Sequence, residues 1–321
     1  MTLKLGVVMD PIGSIKVYKD STYAMLLEAQ ARKWSIHYME MNDLIMRDGE
    51  AYARTRLLTL FKDEYRWHEF GPESLIRLAD LDVILMRKDP PFDQEYIYST
   101  YILERAEERG ALVVNRPQAL RDANEKMYTA WFPQCAPPTV VSRRFSDLRE
   151  FLREHRDIIL KPLEGMGGAS VFRVTKDDPN VSVIMEVLTR HQSRYVMAQR
   201  YIPEITDGDK RVLMIDGEPV PYMLARVPAP GEMRGNLAAG ASGQGRHLGN
   251  RERWIAEQVG PSLRNKGILF AGLDVIGDYL TEINVTSPTC IRELDAHFSV
   301  NISAGLMDAI EKRLAGRQPA A

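Results

Sequence analysis

Three oxygen-bearing side chains near the carboxyl end of the chain have the spacing of a metal site. Glu282 and Asn284 are two residues apart in the strand-like segment YLTEINVTS, so they share one strand face, together with Leu280. If a turn is centred on Asp278, Asp274 of the preceding segment lies opposite Glu282. Two carboxylates and an amide oxygen suit Mg²⁺. For E-x-N alone a solvated strand face is the simpler interpretation, and the whole string GLDVIGDYLTEINVTSP favours the metal site.

A glycine-rich segment, EGMGGAS at 164–170, lies between two predicted strands. Glycines let backbone amides approach an anion closely, and such a nest binds phosphate without any side chain. A strand follows the segment and G-K-[ST] is absent, so it resembles neither a Walker A loop nor a dinucleotide-binding fingerprint. Lys161 faces the same side as Ile159 on an otherwise apolar strand and needs an anionic partner there. The pattern favours a hairpin lid over phosphates, with an ordinary glycine-rich turn as the alternative.

Further cations stand at the ends of predicted strands. Lys210 and Arg211 begin one strand of the hairpin GDKRVLMIDGEPVPYMLAR, and Arg226 ends the other. These three side chains could converge on phosphate and carboxylate oxygens, for which arginine provides a bidentate fork. Lys126, in a helical segment, could supply another phosphate contact. For each of these cations alone, a salt bridge or a solvated position is an equal or better interpretation.

Three more segments could contact a ligand. The strand RYVMAQRYIPE ends where the backbone of residues 200–202 would be free to contact an adenine edge. The Gly- and Ala-rich stretch 229–245 has no periodicity, and a long loop of this kind is often an active-site lid, with a flexible linker as the alternative. Arg87 follows the strand LDVIL, at the end where ligands bind in parallel sheets.

The order of the predicted elements indicates how these residues are positioned. Residues 1–122 alternate strand and helix patterns, which predicts a Rossmann-like parallel sheet. Hairpin patterns dominate from residue 157 and predict antiparallel sheets. We therefore predict an α/β protein with α+β character in its C-terminal half. Its predicted divisions are 1–122, 123–200 and 201–316, followed by a disordered tail at 317–321.

Composition argues against several classes of function. Of the 321 residues 27% are charged, and the net charge of −2 comes without basic blocks, so no nucleic-acid partner is expected. No apolar stretch approaches the roughly 20 residues that cross a bilayer, and the N-terminus lacks the pattern of an export signal. Cys135 and Cys290 cannot form a disulfide framework, which fits a reducing, cytoplasmic location.

The order of the motifs resembles that of the ATP-grasp fold. The chain carries in sequence Lys126, ILKPLEGMGG, AQRYI, GDKR, LAR, RGNLAAG, GLDVIG and EINVTSPT. A narrower resemblance, to prokaryotic glutathione synthetases, extends from about residue 3 to 314 and rests on VMDPI, ILMRKDPPFD, NEKMYTAWF, GDKRVLMIDGEPVPY, MRGNLAAG and NVTSPTCIRE. It implies an ATP-dependent ligase that joins γ-glutamylcysteine to glycine through an acyl phosphate. It also implies Mg²⁺, with Mn²⁺ able to substitute, and a homo-oligomer, as a tetramer.

The resemblance also assigns roles to individual residues. Arg211 and Arg226 are expected to act on the transferred phosphoryl group. The expected metal ligands are Asp274, Glu282 and Asn284. The expected contacts of the dipeptide and glycine are Arg87, Asn236, Ser287 and Thr289. The expected ATP contacts are Lys126, Lys161, Glu164, Gly165, Met166, Gly167, Gly168, Gln199, Arg200, Tyr201, Ile202 and Lys210. The chain departs from the family at Ala241–Ser242, where a pair ending in a basic residue is common, and Arg234 or Arg246 could compensate.

Two other functions fit parts of the pattern. Another ATP-grasp ligase, such as a D-alanine–D-alanine or glutamate ligase, would share the ATP and metal residues, but MDPIGS, MRKDPPFD and NVTSPT argue against it. A non-catalytic ATP-binding regulatory protein would keep the fold without needing the two arginines and all three metal ligands.

Overall fold

The computed structural model describes residues 2–165, 167–232, 234–237 and 240–316, and within these ranges the chain forms three β-sheets. Met166, expected to contact ATP, and the predicted tail at 317–321 lie outside the described residues. No helix in the described ranges is long and apolar enough to cross a membrane.

The N-terminal lobe, residues 2–122, contains the predicted alternation of strands and helices. Its elements are β1 (Lys4–Val8), α1 (Ser21–Ala31), β2 (Ser35–Met39), β3 (Leu44–Arg47), β4 (Glu50–Leu60), β5 (His68–Arg77), β6 (Val83–Met86), α2 (Gln94–Glu108), β7 (Leu112–Val114) and α3 (Pro117–Asp122). The strands β2, β1, β6 and β7 pair in parallel, in that order. The predicted parallel sheet is therefore present.

The same sheet also has an antiparallel part that the sequence pattern did not predict. The strands β3 and β5 each pair antiparallel with β4, and β4 also pairs antiparallel with β2 at the edge of the parallel part. Along β4 buried residues mostly alternate with less buried ones, since one face of the strand packs on the core and the other faces solvent. The N-terminal sheet is thus mixed.

The middle lobe, residues 139–200, is an antiparallel sheet with two helices. Its elements are β8 (Thr139–Ser142), α4 (Phe145–His155), β9 (Asp157–Pro162), β10 (Phe172–Thr175), α5 (Val181–Thr189) and β11 (Val196–Arg200). The strand order is β10-β9-β11-β8. The predicted hairpin around the glycine-rich segment is the β9–β10 pair.

The C-terminal lobe, residues 201–316, contains an antiparallel sheet in the order β14-β13-β12-β15-β16. Its elements are β12 (Asp209–Ile215), β13 (Glu218–Val227), β14 (Ser242–His247), α6 (Asn250–Lys266), β15 (Phe270–Ile276), β16 (Tyr279–Asn284), α7 (Ile291–Phe298) and α8 (Ile302–Ala315). The prediction of a loop over 229–245 is wrong at its carboxyl end, because residues 242–245 belong to β14 and pair with β13.

The hydrophobic cores group the three lobes in a way that the divisions along the chain do not indicate. Buried side chains of the N-terminal and C-terminal lobes belong to the same clusters; Leu5 and Leu294 are one example. Tyr128, ahead of the middle lobe, also packs in a core shared by these two lobes. The middle sheet and its helices have a core of their own, which includes Ile158 and Val196. The structure is therefore a two-lobed base with a separately packed middle lobe.

Asn115, directly after β7, connects the two lobes of the base. Its side-chain amide donates to Phe270 O and Val285 O at 2.6 Å each, and its Oδ1 accepts from Phe270 N at 2.9 Å. All three bonds are buried, so a broken bond would leave backbone groups unsatisfied. Asn115 thereby fixes the end of β16 against the N-terminal sheet.

We expect Asn115→Ala to lower the free energy of unfolding by about 3 kcal/mol, since it leaves three buried backbone groups without partners. Urea denaturation followed by circular dichroism would measure the change. Asn180→Ala, at an exposed position, is the control and should change stability by less than about 0.5 kcal/mol. Equal midpoints for the two variants would contradict this role of Asn115.

Candidate active site

A cleft of about 620 Å³ is lined by residues of all three lobes. The N-terminal lobe contributes Arg87, the middle lobe Lys161 and the glycine-rich segment, and the C-terminal lobe β12, β13, β15, β16 and the segment after β16. The predicted site residues among the described ones all line this cleft, with the exception of Lys210. The cleft therefore brings together residues that the sequence analysis took from all three lobes.

A buried ion cluster is centred on Asp274. Arg211 lies directly opposite Asp274 on the neighbouring strand, donates from Nε to Oδ1 and donates from Nη2 to Oδ2 at 3.0 Å. Arg226 Nη2 lies 2.9 Å from the same Oδ2. Burial alone would raise the pKa of Asp274, but the two guanidiniums outweigh it and hold that pKa well below its usual range. Asp274 is therefore a carboxylate that orients two cations.

Gly272 makes room for this cluster. It lies two residues before Asp274 on β15, and a Cβ atom at this position would stand 2.8 Å from Arg211 Cδ and 3.0 Å from Pro288 Cβ. A side chain at this position would displace the arginine, so the glycine is required by the close approach.

Asp209 is a cleft residue that the sequence analysis missed. It lies opposite Arg226, which donates from Nη2 to its Oδ2 at 2.6 Å. Its Oδ1 is buried and has no hydrogen-bond partner among the described residues. Burial raises the pKa of Asp209 to about 6, against the opposing effect of Arg226. Asp209 lines the cleft, so this oxygen is a candidate acceptor for a hydrogen bond from a ligand hydroxyl.

The two cleft lysines share one carboxylate. Lys126 Nζ lies 3.8 Å and Lys161 Nζ 3.7 Å from Glu282 Oε1. Burial lowers the pKa of Lys161, and Glu282 opposes this effect. Burial also acts to lower the pKa of Lys126, but Glu282 and Glu125 outweigh it and the pKa is raised. Glu125, which the sequence analysis did not single out, forms an ion pair with Lys126. Burial raises the pKa of Glu125.

Lys210 corrects the predicted convergence of three cations. Successive residues of a strand point to opposite faces, so Lys210 faces away from the side that carries Asp209 and Arg211. It forms a buried ion pair with Glu252 of α6 and donates to Gly277 O at 2.7 Å. It does not line the cleft. Two arginines, not three cations, converge there.

The predicted pairing of Asp274 with Glu282 is confirmed, and Gly272 lies opposite Asn284. The prediction that Leu280 shares their face is wrong. The register shifts after Asp274, so that Val275 pairs with Leu280 and Thr281 is the extra residue of a bulge. Leu280 accordingly packs in the core with Ile283.

The candidate metal ligands are compatible with a hard cation. Asp274, Glu282 and Asn284 present two carboxylates and an amide from adjacent strands, and all three line the cleft. Asn284 Nδ2 is 3.2 Å from Asp274 Oδ2, which brings the two side chains together. Among the described residues no group of three or more His, Cys, Asp and Glu side chains has the arrangement of a metal site. Oxygen ligands of this kind fit Mg²⁺ and not Zn²⁺.

The glycine-rich segment lies against the stretch that was predicted as a lid. A Cβ atom at Gly168, where φ is +76°, would be 2.5 Å from Asn236 Oδ1 and 2.9 Å from Arg234 Cδ. Lys126 Nζ donates to Gly165 O at 2.9 Å. Gly167 and Glu164 also line the cleft, and Glu164 forms an exposed ion pair with Arg194. Of the two cations proposed to compensate for Ala241–Ser242, Arg234 lines the cleft and Arg246 pairs with Asp207 outside it.

The strand end predicted to meet an adenine is less free than expected. Gln199, Arg200, Tyr201 and Ile202 line the cleft. However, the amide of Arg200 donates to Pro138 O and that of Tyr201 to Asp157 O, both at 3.0 Å. Among the described residues only the amide of Ile202 in this segment lacks a hydrogen bond.

The opposite end of the cleft combines both lobes of the base. Arg87 is buried and donates to Thr22 Oγ1 at 3.1 Å and to Pro288 O at 3.0 Å. Ser287 and Thr289 flank that carbonyl and line the cleft. Cys290 follows, and burial raises the pKa of its thiol, against the effect of Arg211 and Arg226. This end offers hydroxyls and a cation to a carboxylate-bearing ligand.

Solved structures of low sequence identity share the fold. D-cycloserine synthetase DcsG matches with a TM-score of 0.67 at 14% identity, over 97% of this chain and 99% of that one. ATP-grasp ligase PsnB, complexed with a minimal precursor, matches with a TM-score of 0.64 at 16% identity, over 97% and 99%. The architecture is that of the ATP-grasp fold, in agreement with the match of residues 125–299 to an ATP-grasp domain model.

Family models and curated relatives identify the family within this class. Residues 3–121 match the model for the N-terminal domain of prokaryotic glutathione synthetase, and residues 125–299 match that for its ATP-grasp domain. A glutathione synthetase of Pseudomonas aeruginosa is 64% identical over 99% of this chain and 100% of its own length. One from Vibrio vulnificus is 62% identical over 98% and 99%, and one from Escherichia coli O127:H6 is 62% identical over 97% and 99%. The chain belongs to the prokaryotic glutathione synthetase family.

Lys161 and Lys210 form a matched pair for testing the cleft, because both are buried lysines on strands and only Lys161 lines it. We expect Lys161→Met to weaken nucleotide binding about 100-fold, by removing a positive charge from a water-poor site. Lys210→Met should leave nucleotide affinity unchanged while lowering stability by about 3–5 kcal/mol, since Glu252 loses its partner. Titration calorimetry with ADP and thermal denaturation would measure these effects, and equal losses of affinity would contradict the assignment.

Proposed function

We propose that this protein joins γ-glutamylcysteine and glycine, at the expense of ATP, to give glutathione, ADP and phosphate. The observation that carries the proposal is the buried pair Arg211–Arg226, held by Asp274 in a cleft that reaches all three lobes. Membership of the prokaryotic glutathione synthetase family supports the choice of substrates.

The chemistry of the reaction accounts for the character of the site. A carboxylate is a poor acyl donor, because its leaving group would be oxide. Phosphorylation of the cysteinyl carboxylate by ATP gives an acyl phosphate, from which the amine of glycine displaces phosphate. Such transfers need positioning and charge neutralisation instead of a protein nucleophile. Arg211 and Arg226 would bind the equatorial oxygens of the transferred group, and their fixed positions avoid reorganisation during the reaction.

The nucleotide would occupy the end of the cleft near the middle lobe. Lys126 and Lys161 would exchange the carboxylate of Glu282 for phosphate oxygens, and the segment from Gly165 to Gly168 would cover them. The adenine would contact the strand end at Gln199–Ile202, where the amide of Ile202 is free among the described residues. Oδ1 of Asp209, which has no partner among the described residues, would accept a hydrogen bond from a hydroxyl of the nucleotide sugar.

The dipeptide and glycine would occupy the other end. Arg87 is buried there beside Thr22 and Pro288, so a substrate carboxylate would neutralise its charge. Ser287 and Thr289 would position the acyl donor with their hydroxyls. Asn236 would contact the substrates from the segment that lies over Gly168. The high pKa of Cys290 keeps it a thiol, so it takes no nucleophilic part.

Asp274, Glu282 and Asn284 would hold Mg²⁺, for which Mn²⁺ can substitute. When bound, Mg²⁺ would neutralise the negative charge of the phosphate groups. The protein's own part is to hold the three oxygens on adjacent strands and to keep Asp274 ionised.

We also propose a cytoplasmic location and a homotetrameric assembly, with no nucleic-acid or membrane partner. Both cysteines are buried and unpaired, which fits a reducing compartment. Met46, Leu57 and Leu75 on the outer strands β3, β4 and β5 are 42–56% exposed, and contact between copies would bury them.

The proposed reaction is tested by phosphate release from ATP with Mg²⁺. We expect release with γ-glutamylcysteine plus glycine and a product with the mass of glutathione, and no release with D-alanine or with glutamate alone. Release with another pair would overturn the substrates and keep the ligase class. No release with any pair would favour a regulatory ATP-binding protein.

The metal assignment is tested by Glu282→Ala. Because the variant removes a carboxylate ligand, turnover should nearly vanish at limiting Mg²⁺, with the circular dichroism spectrum unchanged. Glu257→Ala, at an exposed position on α6, is the control and should retain turnover. Normal turnover of Glu282→Ala at limiting Mg²⁺ would refute the assignment.

A further inference from the structure

Glu293 is a carboxylate in the cleft to which the proposed function gives no task. It lies in the first turn of α7, three residues after Cys290, and lines the cleft with Ser287 and Thr289. Its Oε2 is buried and has no hydrogen-bond partner among the described residues. A buried carboxylate oxygen without a hydrogen-bond partner costs free energy. A ligand that donates a hydrogen bond to this oxygen would remove that cost.

Glu293 follows Ser287 and Thr289 closely in the chain and lines the cleft with them and with Lys19, at the end to which the dipeptide and glycine are assigned. Burial raises its pKa, and Lys19, Arg211 and Arg292 oppose this effect from the segment before α1, from β12 and from α7 itself. The Glu293 carboxylate also contributes to raising the pKa of the Cys290 thiol, so the two groups are near each other. Arg211 also holds Asp274, so Glu293 lies within electrostatic reach of the group that would bind the acyl phosphate.

Two other cleft carboxylates are already engaged by protein groups. Asp274 is bound by two arginines, and Asp20 accepts the amide of Tyr23 as the cap of α1. Asp209 retains a free oxygen, but its neighbours include Lys161, which belongs to the nucleotide end. Of the two described cleft carboxylates with an unpartnered buried oxygen, Asp209 and Glu293, Glu293 is therefore the one that is not beside Lys161.

Glycine reaches the enzyme as an ammonium ion and must become a free amine before it can attack. Resting on the proposed function, we propose that Glu293 is a catalytic residue that takes this proton. The nitrogen lone pair then forms the C–N bond to the acyl carbon, and the C–O bond breaks with its electron pair leaving on the phosphate oxygen. The nitrogen gives up two protons in all, one to Glu293 and then to water, the other to the departing phosphate.

A carboxylate with a raised pKa suits this step. A base works best when its pKa lies near the working pH, and burial moves Glu293 in that direction. Since Oε2 has no partner among the described residues, the ammonium group of glycine would both complete the hydrogen bonding of this oxygen and lose a proton to it. The same group thus selects an amine and activates it.

The test compares two nucleophiles in the same enzyme. Hydroxylamine is largely unprotonated at neutral pH and traps an acyl phosphate as a hydroxamate without a base. For Glu293→Gln we expect ligation of glycine to slow by about 100-fold or more, the usual contribution of a general base, while hydroxamate formation from γ-glutamylcysteine and ATP changes little. The residual rate with glycine should rise with pH, since only the free amine then reacts.

Two variants serve as controls. Asp295→Asn alters a half-buried carboxylate on the same helix that accepts a hydrogen bond from Ile302 N outside the cleft, and it should keep the wild-type ratio of the two rates. Asp209→Asn alters the rival carboxylate. The proposal is overturned if Glu293→Gln slows both nucleophiles equally, if neither rate changes, or if the selective loss appears in Asp209→Asn instead. Absence of hydroxamate in the wild type would instead refute the proposed function.

Discussion

The arrangement of the site depends on one buried carboxylate. Asp274 has both oxygens bound by guanidiniums, and removal of any member of the cluster would leave an uncompensated charge away from water. The members come from three neighbouring strands, so the strand register and the ion pairs specify each other. Gly272 is required for the same reason, because Arg211 crosses β15 at that point.

The rest of the cleft follows the same rule of mutual compensation. The two lysines share Glu282, Glu125 neutralises Lys126, and Asp209 neutralises Arg226. When a nucleotide enters, its phosphates can replace the protein carboxylates as partners of the lysines. The lysines are already desolvated, so binding adds no further cost of removing water from them. This exchange lowers the cost of binding a highly charged ligand in a buried position.

The sequence predicted much of this site, because short-range rules determine the hairpin that carries it. The pairing of Asp274 with Glu282 was predicted correctly, but the two-residue turn is Gly277–Asp278, and the extra residue Thr281 is what brings Glu282 opposite Asp274. The bulge at Thr281 reversed the side of Leu280, and a bulge leaves no dependable mark in a single sequence. Strand alternation could have excluded Lys210, since Arg211 beside it was already assigned to the cleft.

Other features were beyond the reach of sequence patterns. Asp209, Glu125 and Glu293 are charged residues of ordinary spacing, and their importance lies in a burial that only the packed lobes create. Residues 44–77 form an antiparallel addition to a parallel sheet, and their half-exposed strands lack the continuous apolar runs of the strands around them. The backbone amides of Arg200 and Tyr201 are occupied by partners that are distant in sequence.

The separate core of the middle lobe has a consequence for how this architecture changes over evolution. Its side chains, among them Ile158, Leu160 and Val196, pack on one another, while the other two lobes share their interiors. Substitutions inside this core therefore need no compensating changes elsewhere, unlike substitutions at Lys161 or Gly168, which contact the C-terminal lobe, and the base must evolve as one body. In a lineage of such proteins the interior of the middle lobe can diverge by itself, whereas the N-terminal and C-terminal lobes are inherited together.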